Sequence, residues 1–89
     1  PNAFSPSSPV LENTVFKPTM YFNTEPKAYT MQIYNRWGGL VFATNDHNAG
    51  WDGTDHGKEA QQGGYAYLIQ FYAEDGVKVE RKGMVLLVR

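Results

Sequence analysis

The chain has no cysteine, which removes disulfides, thiolate nucleophiles and cysteine-based zinc sites together. Its fold must hold without covalent staples, a condition compatible with secretion. It also lacks an excess of charge. Eight Lys and Arg stand against nine Asp and Glu, a formal net charge of −1. There is thus no basic footprint for nucleic acid and no polybasic cluster for an anionic membrane. No apolar run approaches the ~18 residues of a membrane span. The serines gather at Ser5, Ser7 and Ser8 among Pro1, Pro6 and Pro9, without the Gly-x-Ser-x-Gly elbow that would activate one. Either histidine could act as a base, but nothing visible orients it. No nucleophile, base and orienter can be assembled, so no enzyme, catalytic residue or cofactor is expected.

What the chain does have is a series of aromatic and glycine signposts. It reads Ile33-Tyr34-Asn35-Arg36-Trp37-Gly38, then Gly50-Trp51-Asp52-Gly53, then Gly63-Gly64-Tyr65-Ala66-Tyr67. Its 89 residues suit a single domain over 1–89, with a modest core. Aromatics at 15% enlarge that core, because each ring buries a large area. The start at Pro1-Asn2, without methionine or signal peptide, reads as a fragment of a longer protein.

Period-two alternation marks the strands. Tyr29, Met31 and Ile33 alternate with Thr30, Gln32 and Tyr34, and Tyr65, Tyr67, Ile69 and Phe71 share one face. Thr14 to Phe22 suggests a strand interrupted by Pro18, and Phe4 a short edge strand. Trp37-Gly38-Gly39 turns into Leu40–Thr44, and Asp75-Gly76 reads as a two-residue hairpin turn into a return strand over 77–89. Gly83 in that strand marks a bulge or a close approach. Asn45 to Gly64, dense in Asn, Asp and Gly, reads as a long irregular connection pinned by Trp51. Short strands, frequent turns and no helical period predict an all-β fold, an Ig-like antiparallel β-sandwich of about seven strands.

Asp46, His47, Asp52, Asp55, His56 and Glu59 invite a test as metal ligands. They lack the alternate spacing of a calcium loop and the paired histidines of a zinc motif. Asx turns made by Asp52 and Asp55 are the favoured reading, and no metal is assigned. Trp37, Trp51, Tyr34 and Tyr65 could form an aromatic platform for sugars or peptides. Core packing is favoured for Trp51, while Trp37, beside two glycines at a hairpin tip, is open to either reading.

Pro1-Asn2-Ala3-Phe4-Ser5-Pro6, Tyr34-Asn35-Arg36-Trp37-Gly38, Val41-Phe42, Gly50-Trp51-Asp52-Gly53-Thr54, Gly57, Gly64-Tyr65-Ala66-Tyr67 and Lys82-Gly83 together resemble the gliding-motility-associated C-terminal domain. This is the type B C-terminal signal domain of cargo for the type IX secretion system. The resemblance covers almost the whole chain. It departs at Ser7–Asn13, where the family's Asn-Gly-Asp-Gly-x-Asn-Asp stretch is replaced and only Asn13 echoes it. A shorter likeness, through Trp51–Gly57 and Gly64–Tyr67, is to the Ig-like domain of flagellar hook-capping proteins, and it supports the fold more than the role.

The resemblance implies a non-enzymatic sorting signal at the C-terminus of a large secreted protein, monomeric in isolation. Its partners would be the outer-membrane translocon or shuttle proteins of the type IX system. They would carry the cargo through the periplasm to the surface or the medium of a Gram-negative bacterium. Arg36, Trp37, Gly38, Lys82, Gly83 and Arg89 are the recognition candidates. Trp51, Asp52, Gly53, Asp55, Tyr65 and Tyr67 form the structural motif. Met84–Val88 reads equally as a doubly buried core strand or as an edge available for β-augmentation. An adhesion or carbohydrate-binding module using Trp37 is the alternative, and a structural spacer a third.

Overall fold

The alternating stretches become strands in the computed structural model, which describes residues 3–9, 14–17 and 25–89. The strands are β1 (Ala3–Phe4), β2 (Lys27–Tyr34), β3 (Leu40–Thr44), β4 (Thr54–Asp55), β5 (Lys58–Glu59), β6 (Gly63–Tyr72) and β7 (Lys78–Leu87), and there is no helix among the described residues. Five form one sheet in the order β1-β7-β6-β2-β3, and β4 pairs with β5. The all-β expectation of about seven strands holds. One pair departs from antiparallel: β1 runs parallel to β7, with Phe4 opposite Leu87. These strands lie far apart in sequence, so no tight turn imposes the antiparallel sense.

One face of the sheet carries the core. Phe4, Met31, Ile33, Tyr65, Ile69, Val85 and Leu87 are buried there. The opposing layer is thin and is built around Trp51, which is 0% exposed. Its backbone exchanges two hydrogen bonds with Phe16, at 2.7 and 2.9 Å. Its ring lies 5.3 Å from Phe4 and 4.8 Å from Tyr65. A ring of this size buries ~150–250 Å², roughly 4–6 kcal/mol at ~25 cal/mol/Å². That is comparable to the whole net stability of a small domain, so this one side chain makes a two-layer sandwich feasible.

Of the expected Thr14–Phe22 strand, Phe16 forms the bridge to Trp51; Pro18, Met20, Tyr21 and Phe22 lie outside the described residues. In β3 the register shifts, so that Leu40 opposes Tyr34 and Phe42 opposes Ile33. Val41 is the extra, bulged residue, which lets it be buried while the adjacent Phe42 also packs on the core.

The turns correct two expectations. Ala73 N–H bonds to Val77 O and Gly76 N–H to Ala73 O. The loop is therefore the three residues Glu74, Asp75 and Gly76, because Gly76 alone has positive φ and a two-residue type I′ turn needs two such residues. The connection over 45–64 is not irregular throughout: β4 and β5 form a hairpin whose two loop residues, His56 and Gly57, both have positive φ. Of the two readings of the last strand, the doubly buried one does not hold. Val85 and Leu87 are buried, but Met84 is 63% and Leu86 47% exposed, because nothing packs over the outer face of the sheet there.

Candidate docking face

Each position of the Gly-Trp-Asp-Gly motif makes a close contact or a local hydrogen bond within the fold. An added Cβ at Gly50 would lie 3.0 Å from Phe16 O, so the glycine admits the bridge strand. Trp51 fills the core and donates Nε1–H to Thr54 O at 2.9 Å. Asp52 makes the expected Asx turn, accepting from Thr54 N–H and Oγ1–H. Gly53 has φ +85°, a conformation that side chains oppose, and a Cβ there would press on Pro6, Leu87 and Arg89. Asp55 differs from expectation: its carboxylate meets His56 Nδ1, at 2.5 Å on the exposed hairpin. Among the described residues no three His, Asp or Glu side chains group closely enough to hold a metal.

Arg89 is the latch of this layer. Its Nη2 donates to Gly53 O at 2.6 Å and its Nε to Ala60 O at 2.9 Å; Nη1 pairs with Glu59 at 3.1 Å. Its backbone N–H donates to Gln62 Oε1. A planar guanidinium suits this forked pattern where an ammonium would not. Beneath it, Tyr65 donates its hydroxyl to Gln61 O. Burial raises the pKa of that hydroxyl; Arg89 opposes the rise, Asp55 adds to it and Arg36 opposes it.

Gly83 is the close approach rather than a bulge, since β6 and β7 pair without a break from Gly63–Leu87 to Tyr72–Lys78. Its direct cross-strand partner is Tyr67, whose ring folds over it. A Cβ at Gly83 would lie 2.6 Å from the Tyr67 hydroxyl oxygen and 2.8 Å from Cζ. The same ring packs 5.1 Å from Phe16. Covering a bare glycine with a cross-strand aromatic restores the packing the glycine lacks.

The hairpin tip is built by Asn35. Its Oδ1 accepts from Trp37 N–H at 3.0 Å and Gly39 N–H at 2.8 Å, and Gly38 takes φ +83° to close the loop. This fixed loop thrusts Trp37 outward, 75% exposed. The Arg36 guanidinium lies 5.1 Å from the Trp37 ring centroid, in cation–π range. Among the described residues no carboxylate pairs with Arg36. Tyr34 is half-buried, whereas Trp51 and Tyr65 are in the core, so the four-ring aromatic platform does not form.

Cross-strand partners project from one face of a sheet, so the register maps the outer face. One row runs Met84–Ala66–Tyr34–Leu40 across four strands. The next runs Lys82–Leu68–Gln32–Ala43, and the one after it Glu80–Gln70–Thr30. The outer face is thus apolar at the Trp37 end and polar at the other. Lys82 sits at the border, 3.7 Å from Glu80. The Glu80 carboxyl is held below its usual pKa, chiefly by the hydrogen bond from Gln70, with Lys82 and Lys78 adding to the effect.

The structure brings Arg36, Trp37 and Gly38 together at one tip, sets Lys82 further along the face, and gives Gly83 and Arg89 packing and latching contacts. Sequence reasoning missed the apolar outer row and the β4–β5 hairpin. The second was detectable, since His56-Gly57 sits between two short polar pairs as a turn dipeptide does. The first was not, because Met84 and Leu86 look the same in a covered strand.

No curated protein matches the chain closely enough to be called a relative. A family's sequence profile does match: the CHU_C type IX secretion signal domain, over residues 1–87. Since the match spans nearly every residue, the chain belongs to the type IX secretion signal domain family, and its role is that of a sorting signal.

Proposed function

We propose that this domain acts, folded, as the C-terminal label of a larger secreted protein, that outer-membrane translocon components or shuttle proteins read it in the periplasm, and that it performs no chemistry. The observation that carries the reading is the family match over residues 1–87. The surface supports it: Trp37, Leu40, Met84 and Leu86 are all exposed large apolar side chains at one end of the sheet. Such patches mark interaction sites on small soluble domains. No helix among the described residues is long and apolar enough to cross a membrane. Fusing the full chain to a periplasm-directed fluorescent protein, in a bacterium with a type IX system, tests the proposal. Fluorescence at the surface or in the medium should require the domain. A folded fusion left in the periplasm would reject it.

A further inference from the structure

Strand β6 begins with two residues that carry no side chain, Gly63 and Gly64, and bulky exposed groups stand on both sides of them. On one side are Trp37 and Arg36, which line a shallow notch with both glycines. On the other is Met84, whose Cε lies 3.5 Å from the Cβ position of Gly64; Leu86 pairs with Gly64 across the strands. At Gly63 the nearest atom to an added Cβ is Arg36 Nη2, at 3.9 Å. The sheet order β7-β6-β2 thus sets Met84 beyond one edge of this bare backbone and Arg36 and Trp37 beyond the other, with the Arg36 guanidinium the group nearest Gly63.

Two features define what would fit. The flanking side chains are apolar and exposed, Trp37 by 75% and Met84 by 63%, so they favour an apolar side chain. Arg36 is stacked on Trp37 and has no carboxylate partner among the described residues. By contrast Arg89 is latched to Glu59 and Lys82 is paired with Glu80. Arg36 is thus a pre-oriented cation whose complement is not supplied at the tip. Tryptophan and arginine are also the side chains most enriched at interface hot spots.

Resting on the sorting-signal reading, we propose that the bare backbone between Trp37 and Met84 docks a protein segment that inserts an apolar side chain over Gly63-Gly64 and places a carboxylate against Arg36. The apolar contact supplies most of the affinity, and the charge pair fixes partner choice and register.

The test is export of the full-chain fluorescent fusion, with each variant first shown to fold by the emission of buried Trp51. Trp37→Ala should lower export roughly tenfold or more, as truncation of a central anchor does. Gly64→Val places bulk over the bare backbone, beside the flexible end of Met84 that lies 3.5 Å from the Cβ position, and in the folded variant export should fall. Arg36→Glu should export less than Arg36→Ala, since it sets two like charges together. Lys78→Glu, at the far end of the face, should export as the parent does. Unchanged export in folded Trp37→Ala and Gly64→Val would overturn the docking site. Loss with Trp37→Ala but equal export for Arg36→Ala and Arg36→Glu would overturn the carboxylate, leaving a purely apolar or lipid partner. Failure of the parent fusion itself to leave the periplasm would instead defeat the sorting-signal reading.

Discussion

Replacing Gly83 with alanine sets two effects of known sign against each other. A glycine inside a strand is worse than alanine by about 0.5–1 kcal/mol, because its unfolded chain has more freedom to lose. On propensity alone, Gly83→Ala would stabilise the domain. The new methyl, however, would sit 2.6, 2.8 and 2.9 Å from three atoms of the Tyr67 ring, distances that carbon contacts do not sustain. The ring must swing away, and its packing on Phe16 goes with it. Overpacking of this kind costs about 1–3 kcal/mol. The net expectation is a loss of about 0.5–2 kcal/mol, which for a domain of this size lowers the melting temperature by roughly 2–16 °C. The same substitution in a Tyr67→Leu background, where the ring end is gone, should become neutral or stabilising. Thermal and urea unfolding of the four proteins of this cycle measures the coupling directly. Equal effects of Gly83→Ala in both backgrounds, or stabilisation of the parent, would refute the account of Gly83 as the place where Tyr67 packs.

Arg89→Ala should lose about 2 kcal/mol, the scale of hydrogen bonds to a charged group, and Arg89→Lys should recover less than half of it, because one ammonium cannot serve both Gly53 O and Ala60 O; full recovery by lysine in urea titrations would show that charge alone matters. Burial raises the pKa values of Tyr29 and Tyr65. Both hydroxyls therefore ionise at higher pH folded than unfolded, and the stability they supply is complete below pH ~10 and lost as pH climbs through the folded values. Tyr65→Phe should flatten that alkaline loss, which an unfolding series across that range would show. Ala28 holds φ +53° where the β2–β6 register shifts. A left-handed alanine costs about 1–2 kcal/mol, so Ala28→Gly should raise the urea midpoint despite glycine's larger unfolded-state entropy; a lowered midpoint would count against strain there.

The sequence by itself determined the strands of the main sheet, because a half-buried strand writes its two faces directly into alternating residues, as at Tyr29, Met31 and Ile33 or Tyr65 and Ile69. It also determined that Gly-Trp-Asp-Gly is a structural signpost, since a large ring between glycines has few other uses in a small core, and it carried the family resemblance. Tertiary structure alone decided the rest. That β1 joins β7 in parallel, that Tyr67 covers Gly83, and that Arg89 reaches Gly53 and Ala60 all depend on which distant segments meet, and local pattern holds no record of distant partners. The same reason separates the two faces of the last strand. Met84 and Leu86 are as apolar as Val85 and Leu87, and only the position of the thin second layer leaves the first pair in water beside Trp37.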